Sequence, residues 1–207
     1  MGSHSNYHIM VNRQDPVSFR EDLSRSCRTI EDIIGKKVVS YRSPSWSIGR
    51  GNLWALEILQ EEGILFDSSL QPFKTFLSGE SRFPAKPFHP IISGRELDLL
   101  EIPPVVHNLF GIKIPFSGGT YFRIIPFGLV KYFFRKATDK KFSMIYVHPW
   151  EFDPEQPRLK TSLVYRIAHY YKLNSTEKRF KNILDEFSFC PLQEYMKGKE
   201  FPHIVLE

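Results

Sequence analysis

His4-Ser5-Asn6-Tyr7-His8 sets two imidazoles four residues apart. On a helical turn that spacing puts both rings on one side, as a metal ion requires. Arg42-Ser43-Pro44-Ser45-Trp46 joins a permanent cation to a large aromatic. Asp67 opens an Asp-Ser-Ser run, and His148 opens His-Pro-Trp-Glu. All but His148 have a plainer use when taken alone. Met1-Gly2-Ser3-His4 has the look of an expression-tag remnant, Arg42 fits a surface turn, and Asp67 fits a cap. His89, His107, His169 and His203 share no ligand spacing and read as structural or exposed.

The elements that must position these residues follow from periodicity. Asp15-Pro16 is an N-cap and first helical residue. Phe19, Leu23, Cys27, Ile30 and Ile34 then form one apolar face, and Gly35 stops the helix. Cys27 therefore belongs to the core. Lys37 to Tyr41 reads as a strand, Asn52 to Glu62 as a helix, and Ile64 to Phe66 as a strand. That alternation with short connections is the signature of α/β units on a parallel sheet. Gln71 to Pro90 reads as irregular, and Glu96 to Ile102 as a strand. Pro126 to Lys136 is an expected helix, and Phe142 to Val147 the strongest expected strand. Asn174 and Glu177 resemble a capping box before a helix whose face is Phe180, Ile183, Leu184 and Phe187. Cys190 reads as core. Arg42, Asp67 and His148 each come directly after an expected strand. In parallel α/β folds those strand ends line the active site, so the three are expected to converge.

The 207 residues carry a net charge of +5 with the cations scattered, which excludes a nucleic-acid type of basic run. No stretch approaches the ~20 apolar residues of a membrane span. Two cysteines exclude a disulfide scaffold and a four-cysteine zinc site. The N-terminus has no apolar leader core, so a cytoplasmic location is expected.

Taken together, these segments resemble the polysaccharide deacetylases of carbohydrate esterase family 4, in particular the branch found in exopolysaccharide gene clusters. His4-Ser5-Asn6-Tyr7-His8 is similar to its second motif, and Arg42-Ser43-Pro44-Ser45-Trp46 to its third. Phe66-Asp67-Ser68-Ser69, Leu100-Glu101-Ile102-Pro103, Pro115 to Arg123 and Tyr146 to Pro154 resemble further elements of that branch. The family's first motif, two adjacent aspartates, is the departure. The chain has eight aspartates and no Asp-Asp pair.

The resemblance implies a partial, distorted (β/α) barrel lacking its first strands over residues 1–154. Residues 155–207 are then a C-terminal extension packing on it. It also implies hydrolysis of an N-acetyl amide on a polysaccharide. His4 and His8 would hold a divalent ion, zinc by the resemblance, and His148 would be the general acid. Arg42 would orient the aspartate base. Trp46, Asp67 and Trp150 would contact the sugar. Without the Asp-Asp pair the activity is expected to be impaired, because both the base and a third metal ligand are missing. An exposed sheet edge is expected to favour self-association. The alternatives are a non-catalytic remnant or carbohydrate-binding scaffold, and a metal-independent hydrolase of small cyclic amides.

Overall fold

A computed structural model describes residues 1–139 and 142–206. The chain forms two compact units, Met1–Pro104 with Lys197–Glu207, and Val105–Met196. The boundary expected after Pro154 falls inside the second of them.

In the first unit α1 spans Pro16–Ile34. The Asp15 carboxylate accepts the Val17 and Ser18 amides, and Gly35 ends the helix at φ 64°. Phe19 and Leu23 are fully buried, and Cys27 and Ile30 pack on the same core. Burial pushes the Cys27 thiol up to about 11. The expected alternation follows, with β1 at Ser40–Tyr41, α2 at Trp54–Glu61 and β2 at Phe66–Asp67. Next come β3 at His89–Ile92, β4 at Arg95–Glu96 and β5 at Leu100–Glu101.

The single strand expected over 96–102 is thus split, because its two ends serve different sheets. Glu96 pairs antiparallel with Ile91, whereas Leu100 and Glu101 pair parallel with Phe66 and Asp67. The strand order β1-β2-β5 is parallel throughout. A terminal strand, His203–Val205, pairs parallel with β3.

Ser3 extends the parallel sheet on the outer side of β1. It bridges Tyr41, its amide donates to Ser40 O at 2.8 Å, and Arg42 donates back to Ser3 O at 3.1 Å. The Ser3 and Ser26 hydroxyls meet at 2.8 Å. Ser3 is therefore built into the fold.

The excursion expected over Gln71 to Pro90 is irregular up to the start of β3, which takes in His89 and Pro90, and its 71–80 part is fixed. Gln71 Nε2 donates to Phe73 O at 3.0 Å. Gly79 has φ 93°, and a Cβ there would lie 1.9 Å from Phe73 O. Gly79→Ala should cost ~1–3 kcal/mol through backbone strain and the forced shift. Urea unfolding measures this, and an unchanged midpoint would show that the loop relaxes freely.

In the second unit β6 at Val106–Leu109 and β7 at Ile112–Pro115 form a hairpin. Its turn, Phe110-Gly111, has both residues at positive φ, as a type I′ hairpin turn requires. Helices follow: α3 at Gly119–Ile124, α4 at Phe127–Asp139, α5 at Leu163–Tyr170, α6 at Thr176–Glu186 and α7 at Leu192–Met196. Phe116, Phe122, Val130, Phe134 and Ile183 are the buried centre.

Three expectations fail here. Phe142 to Val147 joins no ladder and makes one parallel bridge, Tyr146 to Gly118. Phe142, Met144 and Ile145 pack on the phenylalanine core instead, and an apolar run alone does not separate these outcomes. Asn174 is not a cap, because a single-turn 3-10 helix, Leu173–Ser175, leads into α6. Glu177 reaches forward to Lys181 at 2.6 Å, while Leu184 is exposed. Cys190 is exposed rather than core.

Candidate functional site

Ser3, β1, β2 and β5 run parallel side by side, so the residues directly beyond them share one rim of the sheet. These are His4, Arg42, Ser68 and Ile102. The Asp-Ser-Ser run ties the rim together. Ser69 donates its hydroxyl to Asp67 Oδ1 at 2.6 Å and accepts the Ser43 amide at 2.8 Å. Arg42 donates to the Ser68 hydroxyl at 3.0 Å. The Arg42 guanidinium lies 5.4 Å from the centre of the Trp46 ring, within cation–π range.

His4 and His8 are brought together, but not by a helical turn. Ser5 and His8 have φ of 70° and 56°, so the segment folds as an irregular loop. Asp22 of α1 holds that loop, accepting the Asn6 and Tyr7 amides at 3.0 Å each. The rings lie 5.0 Å apart at a steep angle. His4 Nδ1 meets Arg42 O at 2.6 Å. A proton on Nδ1 makes that bond and leaves Nε2 for a ligand, the usual orientation of a metal-binding histidine. The pair fits two positions of a divalent ion. Among the described residues no group of three His, Cys, Asp or Glu gathers around a common point. The set therefore falls short of the three protein ligands of catalytic zinc.

Asp67 is fully buried and opposite Glu101 in register. Glu101 is fully buried too, and Leu70 donates its amide to Oε1 at 3.0 Å. The two carboxyls interact as neighbours on adjacent strands, and each keeps one buried oxygen with no hydrogen-bond partner among the described residues. Burial pushes Asp67 up to about 6, against the opposing effect of Glu101 and Ser69. Burial and the Asp67 charge push Glu101 up further. Keeping a carboxyl of this pair protonated avoids placing two buried charges on adjacent strand ends.

The pair makes stability pH-dependent. The unfolded chain loses the Asp67 proton near pH ~3.9, whereas the folded chain keeps it to about 6. Between those values the folded state binds more protons, so stability is greatest below the window and falls as pH rises through it. The urea midpoint should fall from pH 4 to pH 7. Glu101→Gln should flatten the fall, because an amide keeps a donor without ionising. An equal slope in both proteins would contradict the assignment.

In the second unit, Glu151 follows His148 by three residues and accepts both its amide, at 3.1 Å, and its Nδ1, at 2.7 Å. The His148 side chain is 43% exposed and that of Glu151 is fully buried. A buried carboxylate holding Nδ1 fixes the ring orientation and leaves Nε2 out of that bond. Beneath it, buried Arg123 lies 3.7 Å from Glu151 Oε2 and donates to the Ala168 and His169 carbonyls. Trp150 is flanked by His169 at 3.9 Å and His148 at 5.5 Å, both nearly parallel to it. Burial, with the Arg123 charge, lowers His169.

Asp22, Arg123 and His169 were not found as site-forming residues by sequence reasoning, and neither was the His148–Glu151 bond. The i,i+3 spacing of His148 and Glu151, and a lone carboxylate in the apolar run 99–102, were the available signals. Of the expected site residues, His4, His8, Arg42, Trp46 and Asp67 belong to the first unit. His148 and Trp150 belong to the second.

A mixed α/β fold with polar residues at the ends of a parallel sheet defines the class. Residues 68–197 match the family "Domain of unknown function (DUF3473)", so the chain belongs to that family, a domain associated with polysaccharide deacetylases. A search of curated proteins gives no match. Among solved structures the chain is similar to a "putative polysaccharide deacetylase from Mycobacterium smegmatis". Identity is 17% and the TM-score 0.45, covering 70% of this chain and 48% of that one. The chain thus spans about half the length of that structure. Among the described residues no helix is long and apolar enough to cross a membrane.

Proposed function

We propose that the chain carries part of the machinery for de-N-acetylation of an N-acetylated polysaccharide, on a partial (β/α) barrel. The observation that supports this most is the rim of His4, Arg42 and Ser68, tied to Asp67, in a member of a deacetylase-associated family. His4 and His8 are two ligands of a divalent ion, zinc being the first to test. When bound, such an ion polarises the amide carbonyl and acidifies a water.

The chain's own residues do the rest. Arg42, braced by Ser68 and lying over Trp46, offers a cation to a neighbouring carboxylate. Trp46 gives the sugar an aromatic face, and Asp67 fixes that wall through Ser69. His148, oriented by Glu151, protonates the leaving amine from Nε2. Trp150 backs the His148 ring. No Asp-Asp pair supplies a base or a third ligand, so turnover by these 207 residues is impaired. Ser3 forms the outer edge of the parallel sheet, and self-association through that edge belongs to the same reading.

The test is acetate release from N-acetylglucosamine oligomers with Zn²⁺ added. Slow release that His148→Ala reduces further is expected. Release that His148→Ala leaves unchanged would contradict the roles assigned. The pair itself is tested by calorimetric Zn²⁺ titration, where His4→Ala or His8→Ala should each abolish binding. Binding retained in both variants would place the ion elsewhere.

A further inference from the structure

Beside the rim, within the first unit, lies a cleft of about 410 Å³, well within the ~300–1,000 Å³ of small-molecule sites. Trp46 and Trp54 contribute aromatic surface to it. Asn12, Gln14 and Ser78 contribute polar groups, and Gly49 and Gly51 leave backbone uncovered. No side chain lining it is ionisable. We propose that this cleft is a subsite for an uncharged sugar residue, gripped between Trp46 and Trp54 and read by Gln14 and Asn12. The proposal rests on the polysaccharide reading above and narrows it. The polymer is neutral at this position, not a uronate or a sulfated sugar.

The argument is one of matched chemistry. A pyranose presents C–H faces, which suit indole rings, and hydroxyls that both donate and accept. A side-chain amide also does both. Gln14 Nε2 is engaged with Ile9 O at 3.0 Å, which fixes the amide and leaves Oε1 as an acceptor. The Asn12 amide has no hydrogen-bond partner among the described residues and is exposed. Asn52 is used up as a brace, accepting the Gly49 amide at 2.7 Å and donating to Ser47 O at 3.0 Å. Trp54 is held edge-on against buried Phe19 at 5.7 Å. An anionic sugar would lose hydration in the cleft and find no cation among its lining side chains, a net cost.

The wall is also held at a conformational cost. Ser45 and Trp46 both sit in the left-handed region, at φ 55° and 50°. That is a true outlier for a residue as bulky as tryptophan. Ser78 donates its hydroxyl to Ser45 O and so couples the 71–80 loop to this strained pair. Strain of this kind persists where surrounding structure enforces it, and it clusters at ligand clamps. Here it turns one indole both toward Arg42 and into the cleft.

The test uses the 207-residue chain and two probes, triacetylchitotriose and a uronic acid trimer, followed by tryptophan emission and calorimetry. The neutral trimer should bind with an emission shift, and more tightly than the charged one. Trp54→Ala and Gln14→Ala should each weaken it by ~10-fold, the effect of losing ~1.4 kcal/mol. Trp54 touches the core, so Gln14→Ala and Asn12→Ala, at less buried positions, decide the matter if Trp54→Ala misfolds. Tighter binding of the uronate, binding of neither trimer, or neutral binding unmoved in both amide variants would overturn the subsite. Because the readout is binding, absent acetate release would count against the deacetylase reading and leave this result standing.

Discussion

Arg123→Ala should cost the protein ~3–5 kcal/mol, the effect of leaving one member of a buried ion pair uncompensated. Arg123 and Glu151 are both inaccessible to solvent. The guanidinium also donates to two carbonyls at the end of α5, His169 O at 3.0 Å and Ala168 O at 2.8 Å. Alanine strands the His169 carbonyl and Glu151 Oε2, while the Ala168 carbonyl keeps the Thr120 hydroxyl. Arg123→Lys should recover only part of the loss, because one ammonium cannot reproduce the planar fork. Glu151→Gln should be milder, since its amide oxygen can still accept from the His148 amide. Urea unfolding of the three variants measures this. If Arg123→Ala cost under ~1 kcal/mol, the second unit would not depend on the pair.

The second large effect concerns the missing base. A positioned general base is worth ~10²–10⁴-fold in rate. Acetate release by these 207 residues should therefore fall short by at least that factor. Two imidazoles without a carboxylate weaken the ion as well. Neither buried carboxyl makes good the loss. Asp67 and Glu101 are fully buried within the sheet, and each is already bound, to Ser69 and to the Leu70 amide respectively. Glu101→Gln should thus leave the residual rate within about threefold, a change worth less than ~1 kcal/mol. A collapse of the rate in that variant would make Glu101 the base.

Local signals were legible where one physical effect dominated. Asp15-Pro16 and Gly35 bounded α1 because caps act through adjacent atoms. The order of helix and strand through Asp67 was likewise readable from apolar spacing. Phe142 to Val147 misled because hydrophobicity reports burial, not the partner that makes a ladder. The His4 and His8 rings meet, as their spacing suggested, but Asp22 and two left-handed residues bring them together. Asp22 lies 14 residues or more along the chain from either ring, and periodicity carries neither it nor the left-handed backbone at Ser5 and His8. Glu101 was similarly hidden. Its meaning comes from lying opposite Asp67, a register that only strand pairing sets.

The most direct measurement is acetate release from N-acetylglucosamine oligomers, with Zn²⁺ present, as a function of added formate. A small carboxylate can stand in for an absent general base. The account predicts a barely detectable rate that rises with formate, disappears with a chelator, and is lost in His148→Ala at every formate concentration. Chelator-sensitive turnover at ordinary enzyme rates without formate, abolished by His148→Ala, would contradict it. It would show that these residues already contain the base that the sequence lacks as an Asp-Asp pair.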